Sequence, residues 1–244
     1  MKKYSPITYV LAGIVVFAVA TMIVMNIRAV RAQKTPAQDN TQGNANDDHK
    51  EVKEALRRGG YREVAKIKKH YVSNFNPHWD WSSFDMEALT KNSVAVIVGS
   101  PTQSKSQLTP NGQLITTEYE VSVQEVIKGK IAQGDTIKIS LPGGKVEFED
   151  GTSVELKTPD FEKMTTYNSY VLFLYANRNG SDVFLLTGGP QGLFELPPNG
   201  MDVKPHGRPT DPAVKEAKGK NVQAFLEEIR KQAVKWPEPG NCCK

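Results

Sequence analysis

Cysteine is nearly missing from this chain: of 244 residues only Cys242 and Cys243 carry a thiol, side by side and at the very end. Neighbouring cysteines cannot staple a distant core, so no internal disulfide framework holds the fold. Nor do they make a zinc site, because four ligands are needed and no CxxC or HxxxH pair supplies the others. They are left as a candidate redox pair, through a strained vicinal disulfide or a bridge between chains, or as two exposed thiols without a role. Histidine is sparse too, and His49, His70, His78 and His206 are scattered over stretches that read as linkers, helices or loops. The chain contains no GxSxG elbow, no HExxH, no phosphate-cradling GxxxxGK[ST] and no GxGxxG behind a strand. No catalytic residue is therefore assigned, and no cofactor or metal is expected. The net charge of +4 is too small to choose a partner. Its excess lies in helical stretches with few interleaved aromatics, which argues against nucleic acid.

Charge is missing most conspicuously between Tyr4 and Ile27, directly behind Lys2 and Lys3. As a helix this tract reaches about 30 Å, one hydrocarbon thickness. No polar face interrupts it, so a soluble buried helix is the poorer reading. Residues 1–32 are read as a membrane anchor or as a signal peptide cleaved after Val30-Arg31-Ala32. The apolar core exceeds the roughly 7–15 residues usual in signal peptides, which favours the anchor. The leading lysines favour a cytoplasmic N-terminus, although Arg28, Arg31 and Lys34 weaken the asymmetry. The chain is thus expected outside the cytoplasm, tied to the cytoplasmic membrane through residues 4–27, or secreted or periplasmic if cleaved.

Residues 33–83 read as a flexible tether followed by a basic helical segment. Gln33 to Asp48 is rich in Asn and Gln and too poor in apolar side chains to offset its ordering entropy. From Lys50 to Val72 apolar residues recur at helical spacing on both sides of Gly59-Gly60, which predicts two short helices. Eight basic residues from Lys50 to Lys69 face only three glutamates there. They form either a solvated face or a patch for anionic headgroups or acidic polymers.

From 84 to 198 the pattern becomes β. Asp85 is placed to cap a short helix through Lys91. Ser93 to Gly99 is an apolar run of strand length, stopped by Ser100-Pro101. Asn111-Gly112 is the signal for a tight type I′ hairpin. The strand after it alternates, with Ile115, Thr117, Tyr119, Val121 and Val123 on one face, and slips at Glu125 as a bulge would. Thr136 to Leu141 and a charged hairpin around Asp150-Gly151 read as peripheral strands. Tyr170 to Tyr175 is apolar on both faces and reads as a central strand. Val183 to Leu186 and Gly192 to Leu196 complete six or seven short strands, the count of a small barrel or sandwich.

The succession Ser93–Gly99, Tyr119–Gly129, Gly134–Ile139 with Pro142-Gly143-Gly144, Tyr170–Leu174 and Gly192–Phe194 resembles a group of exported bacterial proteins of uncharacterised activity. Their barrel is similar to the OB-type fold of metalloproteinase-inhibitor and netrin-like modules. The resemblance implies a mainly β fold: a small closed or partly open OB-like barrel with flanking short helices. It departs from the inhibitors, which present an N-terminal cysteine to the protease zinc, whereas no cysteine precedes Cys242 here. Inhibition is therefore not expected.

Residues 199–244 read as a helix and the cysteine tail. Asp211-Pro212 and Asn221 mark helix starts, and Val222, Phe225, Leu226, Ile229, Ala233 and Trp236 form a stripe that either packs on the barrel or docks a partner. Ahead of the barrel, Phe75, His78, Trp79 and Trp81 make the densest aromatic cluster, suited either to stacking on a sugar or anchoring a partner, or to plugging the barrel's open end. The expected function is a non-catalytic binding or interaction module for an envelope protein or polymer. The rival is an envelope hydrolase built on Glu147, Glu149, Asp150 and His78.

Overall fold

A computed structural model describes residues 45–75, 83–159, 161–177, 182–198 and 201–237, with side chains from His49 onward. The expected anchor at 4–27, the cluster residues His78, Trp79 and Trp81, and Cys242 and Cys243 lie outside the described residues. Among the described residues no helix is long and apolar enough to cross a membrane. The fold is mainly β, built on a ring of sheet with short helices around it.

Five strands close the ring: β2 (Ala95–Leu108), β3 (Ile115–Lys128), β4 (Thr136–Pro142), β8 (Val183–Leu186) and β7 (Ser169–Ala176), which returns to β2. Every pairing is antiparallel except β4 with β8, where Lys138 and Ile139 lie opposite Val183 and Phe184. β9 (Leu193–Leu196) continues beyond β8 along the same edge of β7, and β10 (Lys204–Pro205) pairs with β9. The alternation expected of β3 holds, with Ile115, Thr117, Tyr119, Val121 and Val123 all buried. β7 is buried on both faces: Leu172 and Leu174 join the ring interior, Val171 and Phe173 the helix side.

Two local expectations are corrected. β2 does not stop at Ser100-Pro101 but runs to Leu108, because register shifts at Val98/Gly99 and Pro101/Gln103 absorb a proline that cannot donate to the ladder. Asn111-Gly112 is not a two-residue turn. Leu108 pairs with Ile115, so six residues intervene, and Asn111 Oδ1 accepts from the Thr109 hydroxyl and the Gln113 N–H instead. The slip near Glu125 is present, as a shift of register between Val98 and Gly99 against Glu125 and Val123.

Helices cover one flank of the ring. α3 (Met86–Asn92) starts where Asp85 Oδ1 accepts from the Ala88 N–H at 2.7 Å. Its last turn is held by Lys128, only 5% exposed, whose Nζ donates to the carbonyls of Thr90 at 2.6 Å and Lys91 at 3.3 Å. A cation suits that end of the helix, where carbonyls lack partners. α4 (Pro212–Ala217) follows Asp211, whose carboxylate accepts from the Arg208 N–H rather than from the helix. α5 (Val222–Lys235) is capped by Asn221 and lays Phe225, Leu226 and Ile229 against Val98, Phe173 and Phe194. The stripe thus packs on the sheet. Arg230 fastens it further by a two-toothed ion pair to Glu125, both contacts at 2.9 Å.

A second, three-stranded sheet joins β1 (His70–Asn74), β6 (Ser153–Lys157) and β5 (Gly144–Glu147), with β1 parallel to β6. The helical reading through Val72 is therefore corrected: only α1 (Ala45–Gly59) and α2 (Tyr61–Ile67) are helical, and the β-branched Val72 sits in a strand. Tertiary pairing with the 153–157 strand outweighs the weak local pattern. β1 completes a sheet whose other strands lie between 144 and 157. Ala55, Val64 and Ala65 of α1 and α2 bury against Val154 and Leu156 of this sheet.

Candidate functional site

A cleft of about 580 Å³ opens where the ring meets the small sheet. Its floor is polar and already hydrogen-bonded. The Thr117 hydroxyl donates to the Gly143 carbonyl at 2.7 Å and lies 2.9 Å from the Ser106 hydroxyl. Gly144 lets the β4–β5 link press this close: its φ is +127°, and a Cβ there would stand 2.3 Å from Thr117 Oγ1 and 2.4 Å from Ser106 Oγ. The Pro142-Gly143-Gly144 turn legible in the sequence is thus the cleft floor. Beside it lies Tyr119, 3% exposed, whose phenol burial pushes up to about 12 while a backbone hydrogen bond from Met164 partly opposes the rise.

The cleft's far wall is lined by Thr158, Phe161, Glu162 and Lys163, and Phe161 also lines an apolar hollow of about 280 Å³. Leu141, Pro142 and Phe161 are common to both, so the two hollows share one wall. Phe75, half-buried and tied by its N–H to the Lys157 carbonyl at 2.7 Å, lines the apolar hollow with Leu114, Tyr175 and Leu185. Lys145, Lys157 and Lys163 stand exposed at the polar rim with Glu155 and Glu162. Lys145 is ion-paired to Glu147 at 2.6 Å, whereas Lys157 and Lys163 make no ion pair with a described residue.

Of the expected site residues the structure places only Phe75, at the apolar hollow. The acidic trio does not converge. Glu147 lies on β5 and its carboxyl is held below its ordinary range by the Lys145 hydrogen bond. Asp150 accepts from the Thr152 N–H and hydroxyl within its own turn, and Glu149 is exposed. Among the described residues no three His, Cys, Asp or Glu side chains are grouped to hold a metal. Ser106 and Phe161 were not singled out from the sequence, and Thr117 and Tyr119 were read only as part of one face of β3. The usable signal was hydroxyls on the inward face of β3, where an apolar side chain would fill a closed core.

His206 does lie in a loop, directly after β10, yet it is only 8% exposed, and its Nδ1 accepts from the Glu162 N–H of the cleft wall at 3.4 Å. Burial pushes its pKa below the ordinary 6.5, against the pull of the Glu162 and Glu195 carboxylates and with that of Lys204. The unfolded chain then binds a proton more readily than the folded one, so stability is expected to fall as pH drops through about 6.5 and to stop falling below the depressed native value. A denaturant series over pH checks this. His206→Gln should flatten the profile in that window, and an unchanged slope would remove His206 as its cause.

No family model matches the chain, and no curated protein matches it.

Proposed function

We propose that this chain is a non-catalytic binding module of the cell envelope, working outside the cytoplasm and held to the membrane by residues 4–27. If that tract is cleaved, the module works in secreted or periplasmic form. Its partner is an envelope protein or polymer, and the ring is an OB-type barrel. Supporting the barrel reading, the ring strands numbered along the chain run 1-2-3-5-4 and back to 1, with 3 and 5 parallel, similar to the five-stranded Greek-key barrel of that type. Such barrels hold ligands on the face of their second and third strands. Here those strands are β3 and β4, and both line the cleft.

The observation that carries the binding reading is the pairing of a polar and an apolar hollow across the shared wall of Leu141, Pro142 and Phe161. A volume of about 580 Å³ falls in the ordinary range of ligand pockets, roughly 300–1,000 Å³. The floor hydroxyls are committed to one another and to a backbone carbonyl, so they orient a ligand rather than attack it. The partner suited to this surface is elongated, apolar at one end and polar or anionic where it meets Lys157 and Lys163. Purified full chain in detergent, titrated with solubilised wall polymer and exported proteins, should show one saturable association. Lys157→Glu with Lys163→Glu should weaken it about tenfold or more, since both charges lie at the rim and act on encounter as well as on the bound state. A matching change at Lys218 and Lys231, exposed on the helical flank, should leave it intact. Equal loss in both double variants would refute the cleft as the contact surface.

A further inference from the structure

α1 carries a charge pattern that the cleft does not use. Val52, Ala55 and Leu56 turn inward onto the small sheet. Lys50, Lys53 and Arg57, spaced three and four residues apart, recur along one outward stripe of the same helix. All three are exposed. Their neighbours are engaged: Lys66 is bound to Glu63 at 2.5 Å, Lys68 to Glu51 at 3.8 Å, and Arg62 lies over the Phe148 ring at 5.0 Å. The stripe itself makes no ion pair with a described residue. It is therefore a row of exposed cations on a face that packing leaves open, with Glu54 as the one acidic residue beside it.

We propose that this stripe docks the folded unit onto a bilayer surface bearing anionic headgroups. The proposal rests on the reading that residues 4–27 anchor the chain in that bilayer. Only seventeen residues separate Ile27 from Ala45, where α1 begins. Even fully extended, they hold the helix within about 60 Å of the membrane. Electrostatic attraction fades over about 8 Å at physiological salt, so an untethered patch of three charges would rarely matter. The covalent link makes the encounter intramolecular, and a weak attraction then suffices to populate the docked state. Each basic residue near an anionic surface contributes roughly a five-fold preference, so the three together give about 10²-fold. Glu54, four residues after Lys50 and three before Arg57, lies beside the stripe and lowers that figure, while Glu51 is paired with Lys68.

The test uses the full chain with Cys242→Ser and Cys243→Ser, labelled at Glu54→Cys and reconstituted in vesicles of phosphatidylcholine alone or mixed with phosphatidylglycerol. Energy transfer to a headgroup dye reports how near α1 lies to the surface, and flotation after an alkaline wash reports anchoring separately. The expected result is close approach on anionic vesicles only, reversed by added salt and abolished by Lys50→Glu, Lys53→Glu and Arg57→Glu together. Retention in both vesicles with no dependence on composition, or a triple variant that behaves like its parent, overturns the docking and leaves the anchor standing. Release from both at the alkaline wash overturns the anchor and the docking with it.

Discussion

Replacing Phe194 by alanine is expected to remove about 3–5 kcal/mol of folding stability, the range for emptying a buried aromatic site. Phe194 on β9 is fully buried, and its ring lies 5.7 Å from that of Phe173 on β7 and 4.9 Å from that of Phe225 on α5. The three rings join the sheet to the helix that covers it. Removing the middle one deprives both neighbours, and the surrounding strand cannot collapse because β9 is pinned between β7 and β10. A denaturant titration reads the effect as a lower midpoint with an unchanged slope. A loss below about 1 kcal/mol would mean that the flank is loosely packed, contrary to the contacts described.

Gly60→Ala should have the second large effect, and a more local one. Gly60 joins α1 to α2 with φ +72° and ψ −155°, a region that side chains rarely enter. A Cβ there would stand 2.1 Å from the Gly112 carbonyl oxygen, the atom that accepts from the Tyr61 N–H at 2.8 Å. Backbone strain of about 1–3 kcal/mol adds to the cost of moving a carbonyl out of a hydrogen bond, for a total of about 3 kcal/mol or more. Because the ring closes without α1 and α2, the loss should concentrate on residues 49–75. Hydrogen exchange distinguishes the cases: amides of α2 and β1 should lose protection while those of β2 and β7 keep theirs. Uniform loss across both groups would show that the helical pair and the ring unfold as one.

Much of the ring was legible because its strands obey simple periodicities. β3 alternates from Ile115 to Val123, and β7 is apolar throughout, so one face and two faces were assigned correctly from the sequence. Caps at Asp85 and Asn221 followed from the same local chemistry, whereas the stripe of Phe225, Leu226 and Ile229 was left open between packing and docking until the structure laid it on the sheet. What was not legible depends on contacts distant along the chain. β1 is a strand because β6 lies beside it, eighty-three residues away in register with His70 opposite Ser153. Asn111-Gly112 carries the signal of a tight turn, but the loop is lengthened where Gly112 meets the α1–α2 joint. Likewise His206 looks like any loop histidine until β9 and the Glu162 segment close over it. The cleft shares this cause: Ser106, Thr117 and Gly143 come together only when the hairpin of β2 and β3 meets the β4–β5 link.

That surface is reached most directly by a photoreactive amino acid placed at Glu162, exposed on the cleft wall, in the full chain within living cells. A matched probe at Lys231, exposed on α5 across the fold, gives the background. The expected result is one saturable adduct at 162, absent at 231 and diminished by Lys157→Glu with Lys163→Glu. No adduct at 162, or the same adducts at both positions, would contradict a binding module that works through this cleft.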